Sequence, residues 1–337
     1  MLGAARPVAL VAAGLALLAA GCSGGEGTSP GPDQPGLVLD LSGLRPLDPA
    51  REGHYEAWVI TGSGQAVSAG QFTGTAAAVT LANPGVEARA VEITVEPPDD
   101  TSPGPSLQRV LTGALANGRA TLSVDGALTQ GTLALRREPG QFTMFSPSDN
   151  LEHGYPSFEE AGVWLFNIQP RQTPQNDGWV RLTQLRAGWV YEGWMVRDHG
   201  TSGAIWLSYG KFLPDQTGAI NSRDDTGWGP FSGVLDFLTA GEEEYPGDDW
   251  ISNPLNLPLP SGITLPLNLR EKDSQGRGRW SHVITIEPAT NRGEAVTTER
   301  PFLVAPYRDL FGDGAPGSPR TITYRDEGVP RGTATLR

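Results

Sequence analysis

The same string of residues occurs twice in this chain. Glu52 to Phe72 reads EGHYEAWVITGSGQAVSAGQF, and Gly188 to Phe212 reads GWVYEGWMVRDHGTSGAIWLSYGKF. Each carries Tyr-Glu-x-Trp, an apolar pair, a turn-rich stretch and Ser-x-Gly-x-Phe. A chain that repeats an ordered set of motifs over such a distance is constrained to build one unit twice. The flanks follow the same order. Gly36 to Leu47 (GLVLDLSGLRPL) faces Gly178 to Gly188 (GWVRLTQLRAG), and Ile93-Thr94-Val95-Glu96-Pro97 faces Ile284-Thr285-Ile286-Glu287-Pro288. At the end, Gly131 to Arg136 (GTLALR) faces Gly332 to Arg337 (GTATLR).

The repeated segments are strand-like. LVLDLSGL, AVEITVEP, ATLSV and VITIEP alternate apolar with polar residues and favour β-branched ones, while ANPG, GSG and DG carry turn chemistry. With 44 Gly and 29 Pro and no long amphipathic period after the N-terminus, the composition favours many short strands. The expected fold is all-β, with two tandem β-sandwich-like domains from an internal duplication, the second with a long insert. Copy one is placed at 36–136 and copy two at 178–337, joined by a connector at 137–177 with added strand-like runs at Phe142 to Phe145 and Val163 to Phe166. Trp58 and Trp194 fall on equivalent strands and are expected to anchor the core. The copies differ in length at one place. Twenty residues separate Phe72 from Ile93, whereas 71 separate Phe212 from Ile284. The insert, about 213–259, holds Asp224, Asp225, Glu242, Glu243, Glu244, Asp248 and Asp249, interspersed with Trp228, Tyr245 and Trp250.

At the N-terminus, Arg6 precedes an apolar run from Val8 to Ala20 that ends in Ala-Gly-Cys. The pattern reads as a secretory signal over 1–21, too short for a comfortable membrane span. Leu18-Ala19-Ala20-Gly21 before Cys22 resembles a bacterial lipobox, with Ala19 where Leu is usual. The resemblance implies cleavage before Cys22 and a lipid on its sulfur. An ordinary signal peptide or an uncleaved anchor are the alternatives. Cys22 is the only cysteine, which excludes an internal disulfide, and 22–35 reads as a flexible tether. The net charge of −13 argues against nucleic acid and against electrostatic adhesion to anionic lipid.

Tyr55, Trp58, Ser68, Gly70 and Phe72, then Glu96-Pro97 and the Gly/Ser/Pro-rich PDDTSPGPS, recur in copy two through Pro288. This order resembles the extracytoplasmic C-terminal domain of the anti-sigma-K factor (RskA-type) family. The resemblance implies a β-sandwich-like domain outside the cytoplasmic membrane. A full anti-sigma factor of this type also has a cytoplasmic helical domain and a membrane span. Neither is expected here, so the resemblance carries fold and compartment but not direct contact with a cytoplasmic sigma factor.

Catalytic chemistry finds little support. Ser68 and Ser208 lack the first glycine of a nucleophile elbow, with Ala66 and Trp206 in its place, and read as serines that satisfy local backbone groups. Glu96 and Glu287 occupy equivalent places in separate copies, where one structural role repeated is the simpler reading than a glycosidase pair. His54, His153, His199 and His282 show no zinc spacing, and no catalytic residue, cofactor or metal ligand is assigned. The acidic clusters and the turn Asp309 to Gly314 could offer oxygens to calcium, but no segment matches an EF-hand loop. Two functions are weighed. One is a non-enzymatic, lipid-anchored envelope protein that binds, senses or scaffolds an envelope protein or polymer. The other is a secreted hydrolase of envelope polymers that uses the acidic, aromatic insert. The missing catalytic constellation favours the first, and Trp228, Tyr245, Trp250 and the insert carboxylates are its candidate binding residues.

Overall fold

The computed structural model describes residues 36–74, 76–142, 144, 162–163, 180–214, 259–265, 267–289, 303–310 and 320–337. The described chain is all-β; its only helical piece is a single 3-10 turn at Asp326–Gly328. The strands are β1 (Gly36–Ser42), β2 (His54–Thr61), β3 (Ala66–Phe72), β4 (Ala78–Ala82), β5 (Ala88–Glu96), β6 (Arg109–Ala114), β7 (Arg119–Ser123) and β8 (Gly140–Phe142). They continue with β9 (Trp189–Arg197), β10 (Ile205–Phe212), β11 (Trp280–Pro288), β12 (Leu303–Leu310), β13 (Arg320–Tyr324) and β14 (Arg331–Leu336).

Two sheets form. The first has eight strands in the order β3-β2-β5-β6-β7-β14-β1-β4, and the second has six in the order β10-β9-β11-β12-β13-β8. All the pairings are antiparallel. The alternation in β1 puts Leu37, Leu39 and Leu41 on the core face, and all three are buried. Strand β2 instead reads as a nearly continuous apolar run, and it is buried on both faces from Tyr55 to Ile60. The first sheet curls towards closure. Its edges β3 and β4 approach so closely that a Cβ on Gly70 would lie 3.5 Å from Leu81 Cδ2. Curling hides edges that a flat sheet would leave open to other chains.

The equivalent strands match in register. Tyr55 pairs with Phe72 and Trp58 with Ser68 on β2 and β3; Tyr191 pairs with Phe212 and Trp194 with Ser208 on β9 and β10. Both hairpins carry a bulge just after the serine, skipping Ala69 in one and Tyr209 in the other. The third strand pairs alike, Glu56 opposite Thr94 and Glu192 opposite Thr285.

The ends of the chain depart from a simple tandem arrangement. Strand β14, the last of the chain, lies in the first sheet between β7 and β1. Strand β8, which follows the seven strands β1 to β7 of the first sheet, lies in the second sheet beside β13. The segment Gly131–Arg136, aligned in sequence with β14, forms no strand. The two sheets share one apolar core that runs from Leu37, Tyr55 and Ile93 through Phe142 and Val180 to Tyr191, Ile284 and Ile322. Polar bonds also join them: Trp189 Nε1 donates to the Arg109 carbonyl at 3.1 Å, and Arg186 donates to the Gly126 carbonyl at 2.8 Å.

Of the connector's two strand-like runs, only Phe142, Met144 and Val163 are described, and all three are buried. After the insert the chain re-enters the described structure at 259, where Ile263, Leu267 and Leu269 join the core. The added length between β10 and β11 is therefore partly core.

Candidate functional site

The motif residues converge into the same constellation in each sheet. Trp58 Nε1 donates to Thr94 Oγ1 at 2.8 Å, and Trp194 Nε1 donates to Thr285 Oγ1 at 2.8 Å. Each threonine hydroxyl also lies 3.5 Å from a carbonyl of the neighbouring strand, Glu56 in one sheet and Glu192 in the other. Ser68 Oγ donates to the Glu56 carboxylate, and Ser208 Oγ donates to Glu192 Oε1 at 2.6 Å. On the opposite face, Tyr55 stacks on Phe72 at 5.4 Å and Tyr191 on Phe212 at 6.0 Å. The Tyr55 hydroxyl donates to the Arg45 carbonyl at 3.0 Å, and the Tyr191 hydroxyl to the Thr183 carbonyl at 2.7 Å.

Burial explains why these partners are needed. Trp58, Trp194, Glu56, Glu192, Thr94 and Thr285 are all buried, so each polar atom must find a partner inside the protein. A buried carboxylate in particular would carry a large desolvation cost without donors. Glu96 is fully buried and accepts from the Thr94 hydroxyl and from the Ser106 amide, at 3.0 Å to Oε1 and 3.1 Å to Oε2. The serines therefore hold cross-strand carboxylates, where the sequence suggested local backbone groups. A serine that donates to a glutamate which lies across the strand, with the His54 Nε2 3.9 Å from that glutamate's other oxygen, is ordered Ser–Glu–His. That order puts a buried carboxylate on the hydroxyl and keeps the imidazole off it, unlike a triad in which the imidazole takes the hydroxyl's proton.

Thr94 and Thr285 were missed as key residues. The signal was present in the Ile-Thr-x-Glu-Pro strands, where a threonine sits between two β-branched apolar residues at the same place in both stretches. Only cross-strand register shows that the indole of the Tyr-Glu-x-Trp strand ends on it.

The second sheet adds features at equivalent places. Lys211, where the first sheet has Gln71, is buried with its Nζ 3.8 Å from Glu192 Oε2. Trp206 replaces Ala66 and meets Trp194 edge-on at 5.7 Å and the His199 ring at 5.5 Å. His282 replaces Val91, is fully buried against Phe142 at 4.6 Å, and burial holds it neutral by lowering its pKa to about 3. At the far end of β9, Arg279 bridges Asp198 and Glu271, with Nη1 2.8 Å from Glu271 Oε1, and Arg197 Nη2 reaches the same Glu271 oxygen at 2.6 Å. The Arg279 hydrogen bond holds the Asp198 carboxyl below the usual range. Burial works to raise Glu271, but Arg197 and Arg279 still bring it below its ordinary value. These ion pairs fasten 259–279 to the end of β9.

The other candidates are not brought together by the described structure. Cys22 and the insert residues Asp224, Asp225, Trp228, Glu242, Glu243, Glu244, Tyr245, Asp248, Asp249 and Trp250 lie outside the described residues. Of the turn at Asp309 to Gly314, only Asp309 and Leu310 are described, at the end of β12. Among the described residues no group of three His, Cys, Asp or Glu side chains is placed to hold a metal ion. Among them, too, no helix is long and apolar enough to cross a membrane.

Residues 15–109 match the family described as anti-sigma-K factor rskA, C-terminal. The match starts inside the N-terminal apolar run, takes in β1 to β5 and ends on the first residue of β6. This segment is similar to an RskA-type domain. The match spans the first Tyr-Glu-x-Trp constellation and stops well before the second. No curated protein and no solved structure shows significant similarity to the chain.

Proposed function

We propose that this chain is a non-enzymatic envelope protein, anchored by lipid on Cys22, whose anti-sigma-K-like β-domains bind, sense or scaffold outside the cytoplasmic membrane. The single observation that supports this most is the RskA-type match at 15–109, which overlaps the apolar run leading to Cys22. A domain of that family next to a lipobox-like leader belongs on the outer side of a membrane. The bonding of the repeated residues agrees with a non-catalytic role. Ser68, Ser208, Thr94, Thr285 and Glu96 are engaged in holding strands together.

The equivalence of the two constellations supports an origin by duplication, with domains at about 36–136 and 178–337 trading terminal strands. In this reading copy one supplies the scaffold and copy two adds the recognition surface. The insert, with Trp228, Tyr245, Trp250 and its carboxylates, carries contact with an envelope protein or polymer. No nucleic acid, cofactor or cytoplasmic sigma factor takes part.

The anchoring is tested by metabolic labelling with a palmitate analogue and by Triton X-114 partitioning. The full chain should take label and enter the detergent phase, and Cys22→Ser should do neither. If Cys22→Ser still partitions into detergent, the lipid anchor is refuted. Added protease that digests the chain only after the cell envelope is disrupted to the cytoplasm would place it on the wrong side of the membrane.

A further inference from the structure

The geometry points to a two-occupant slot in the first sheet, filled at rest by the C-terminal strand β14 and refilled by Gly131–Arg136 when β14 is withdrawn. The slot lies between β7 and β1, and β14 makes ladder pairs with both. Its walls demand a glycine at one place. A Cβ on Gly332 would lie 2.3 Å from the Asp40 carbonyl oxygen, so any side chain there would be expelled. Gly131 to Arg136 (GTLALR) brings a glycine at the same position of a nearly identical hexapeptide.

Direction and reach also fit. Strand β14 runs antiparallel to β7, with Gly332 opposite Leu122 and Ala334 opposite Ala120. A segment that follows β7 through the loop 124–130 can return antiparallel to it, as the second strand of a hairpin does. Gly131 placed opposite Leu122 would put Thr132 opposite Thr121 and Leu133 opposite Ala120. The segment has no ladder of its own to give up. It is held now by two backbone bonds at Leu133, to Gln130 O at 3.1 Å and from Gly126 N at 3.2 Å, by the buried Leu135, and by side chains: Arg136 N donates to Thr183 Oγ1 at 2.9 Å, Thr183 Oγ1 donates to the Ala134 carbonyl at 3.0 Å, and Leu135 N donates to Asp125 Oδ1 at 2.8 Å.

One residue decides which occupant wins. Leu133 would take the place of Ala334, which is fully buried opposite Leu39. A leucine in a pocket sized for alanine overpacks the core. The C-terminal strand therefore holds the slot, and Leu133 is left half exposed, at 50%. The exchange reaches the second sheet. Gly131–Arg136 leads directly into β8, which pairs with β13, and β14 is tied to β13 by residues 325–330. Withdrawing one strand and seating the other pulls on the same edge of the second sheet from both ends. The device stands independently of the lipid anchor and would operate with or without it.

The test is amide hydrogen exchange on the full chain and on the chain lacking 331–337. In the shortened chain the amides of β1 and β7 should stay within about tenfold of their full-length protection, while Gly131–Arg136 becomes newly protected. Adding Leu133→Ala to the shortened chain should raise that protection further, because alanine fits the position. Adding Thr132→Pro instead removes a ladder donor in the middle of the seated strand and should strip protection from β1 and β7. The proposal is overturned if the shortened chain unfolds. It is equally overturned if β1 and β7 lose protection while 131–136 stays open, or if Thr132→Pro leaves their protection intact.

Discussion

In the first sheet position 91 is valine, 92 is glutamate and 66 is alanine; in the second the matching positions are His282, Val283 and Trp206. The residues shared between the sheets lock strands together, as the pairs Trp58–Thr94 and Trp194–Thr285 do with equal bond lengths of 2.8 Å. The residues that differ change what each face carries. In the first sheet Glu92 is tied to Arg109 at 2.7 Å, whereas in the second Val283 joins Trp194, Val196 and Trp206 in a separate apolar cluster. The shared set explains the fold. The differences are where specialisation of the second sheet has room to act.

The largest test of that division is removal of the two indoles. Trp58→Ala and Trp194→Ala should each destabilise the protein by about 3–5 kcal/mol, since each empties a buried site and removes the indole donor to a buried threonine hydroxyl. Trp194 also loses its edge-on contact with Trp206, a geometry worth about 0.5–1.5 kcal/mol more, so its cost should be the higher of the two. Urea unfolding at fixed pH measures both. A Trp58→Ala cost below about 1 kcal/mol would break the equivalence of the two constellations.

The next effect separates the sheets by pH. His282 is neutral in the folded protein because burial lowers its pKa to about 3, while in the unfolded chain it titrates at the ordinary value near 6.5. Below about pH 6.5 the unfolded state binds a proton that the folded state refuses. Stability contributed by this group is therefore full above pH 6.5 and is lost progressively as pH falls towards 3. At pH 5 the loss should reach about 2 kcal/mol. His282→Val installs the residue found at the matching place in the first sheet and should abolish that part of the acid sensitivity. Urea midpoints at pH 7.5 and pH 5 check it, and equal acid losses in both proteins would remove His282 as the cause.

Most of the fold was legible because its signals are local. Alternation in Leu37, Leu39 and Leu41, the turn residues and the repeated Tyr-Glu-x-Trp are read residue by residue, and the registers of Tyr55 with Phe72 and Tyr191 with Phe212 follow from them. The placement of β14 and β8 was not legible. GTLALR and GTATLR look interchangeable in sequence, and the choice between them rests on whether Leu133 or Ala334 fits beside Leu39, a packing fact with no local mark. The candidate constellation was half legible. Trp58, Ser68 and Glu96 stood out by motif, but their bonding to Thr94 and Glu56 depends on which residues face each other across strands. The ion-pair clasp at Asp198, Glu271 and Arg279 escaped altogether, because it joins residues far apart in sequence that no shared motif marks.

That clasp gives the smallest expected effect and the sharpest contrast with the first sheet, whose turn between β2 and β3 has only four intervening residues, 62–65, and none of these arginines. Arg279 touches both Asp198 and Glu271 at the surface, with its side chain about a quarter exposed at 27%. Ion pairs so open to solvent contribute about 1 kcal/mol or less, and salt weakens them. Arg279→Met should therefore cost little at low ionic strength and nothing measurable at 1 M salt, where the Debye length is about 3 Å. The pH direction is the same as for His282, since both contributions are lost as pH falls, but the window lies lower. Arg279 holds the Asp198 carboxyl below its ordinary value, so this contribution is present above about pH 4 and disappears only as pH falls below it. Thermal unfolding of Arg279→Met and the unchanged chain at pH 5 and pH 3, each in low and high salt, resolves the two. If Arg279→Met instead lowers stability by several kcal/mol in high salt, the clasp acts through packing of 259–279 on β9, and the charges are incidental to it.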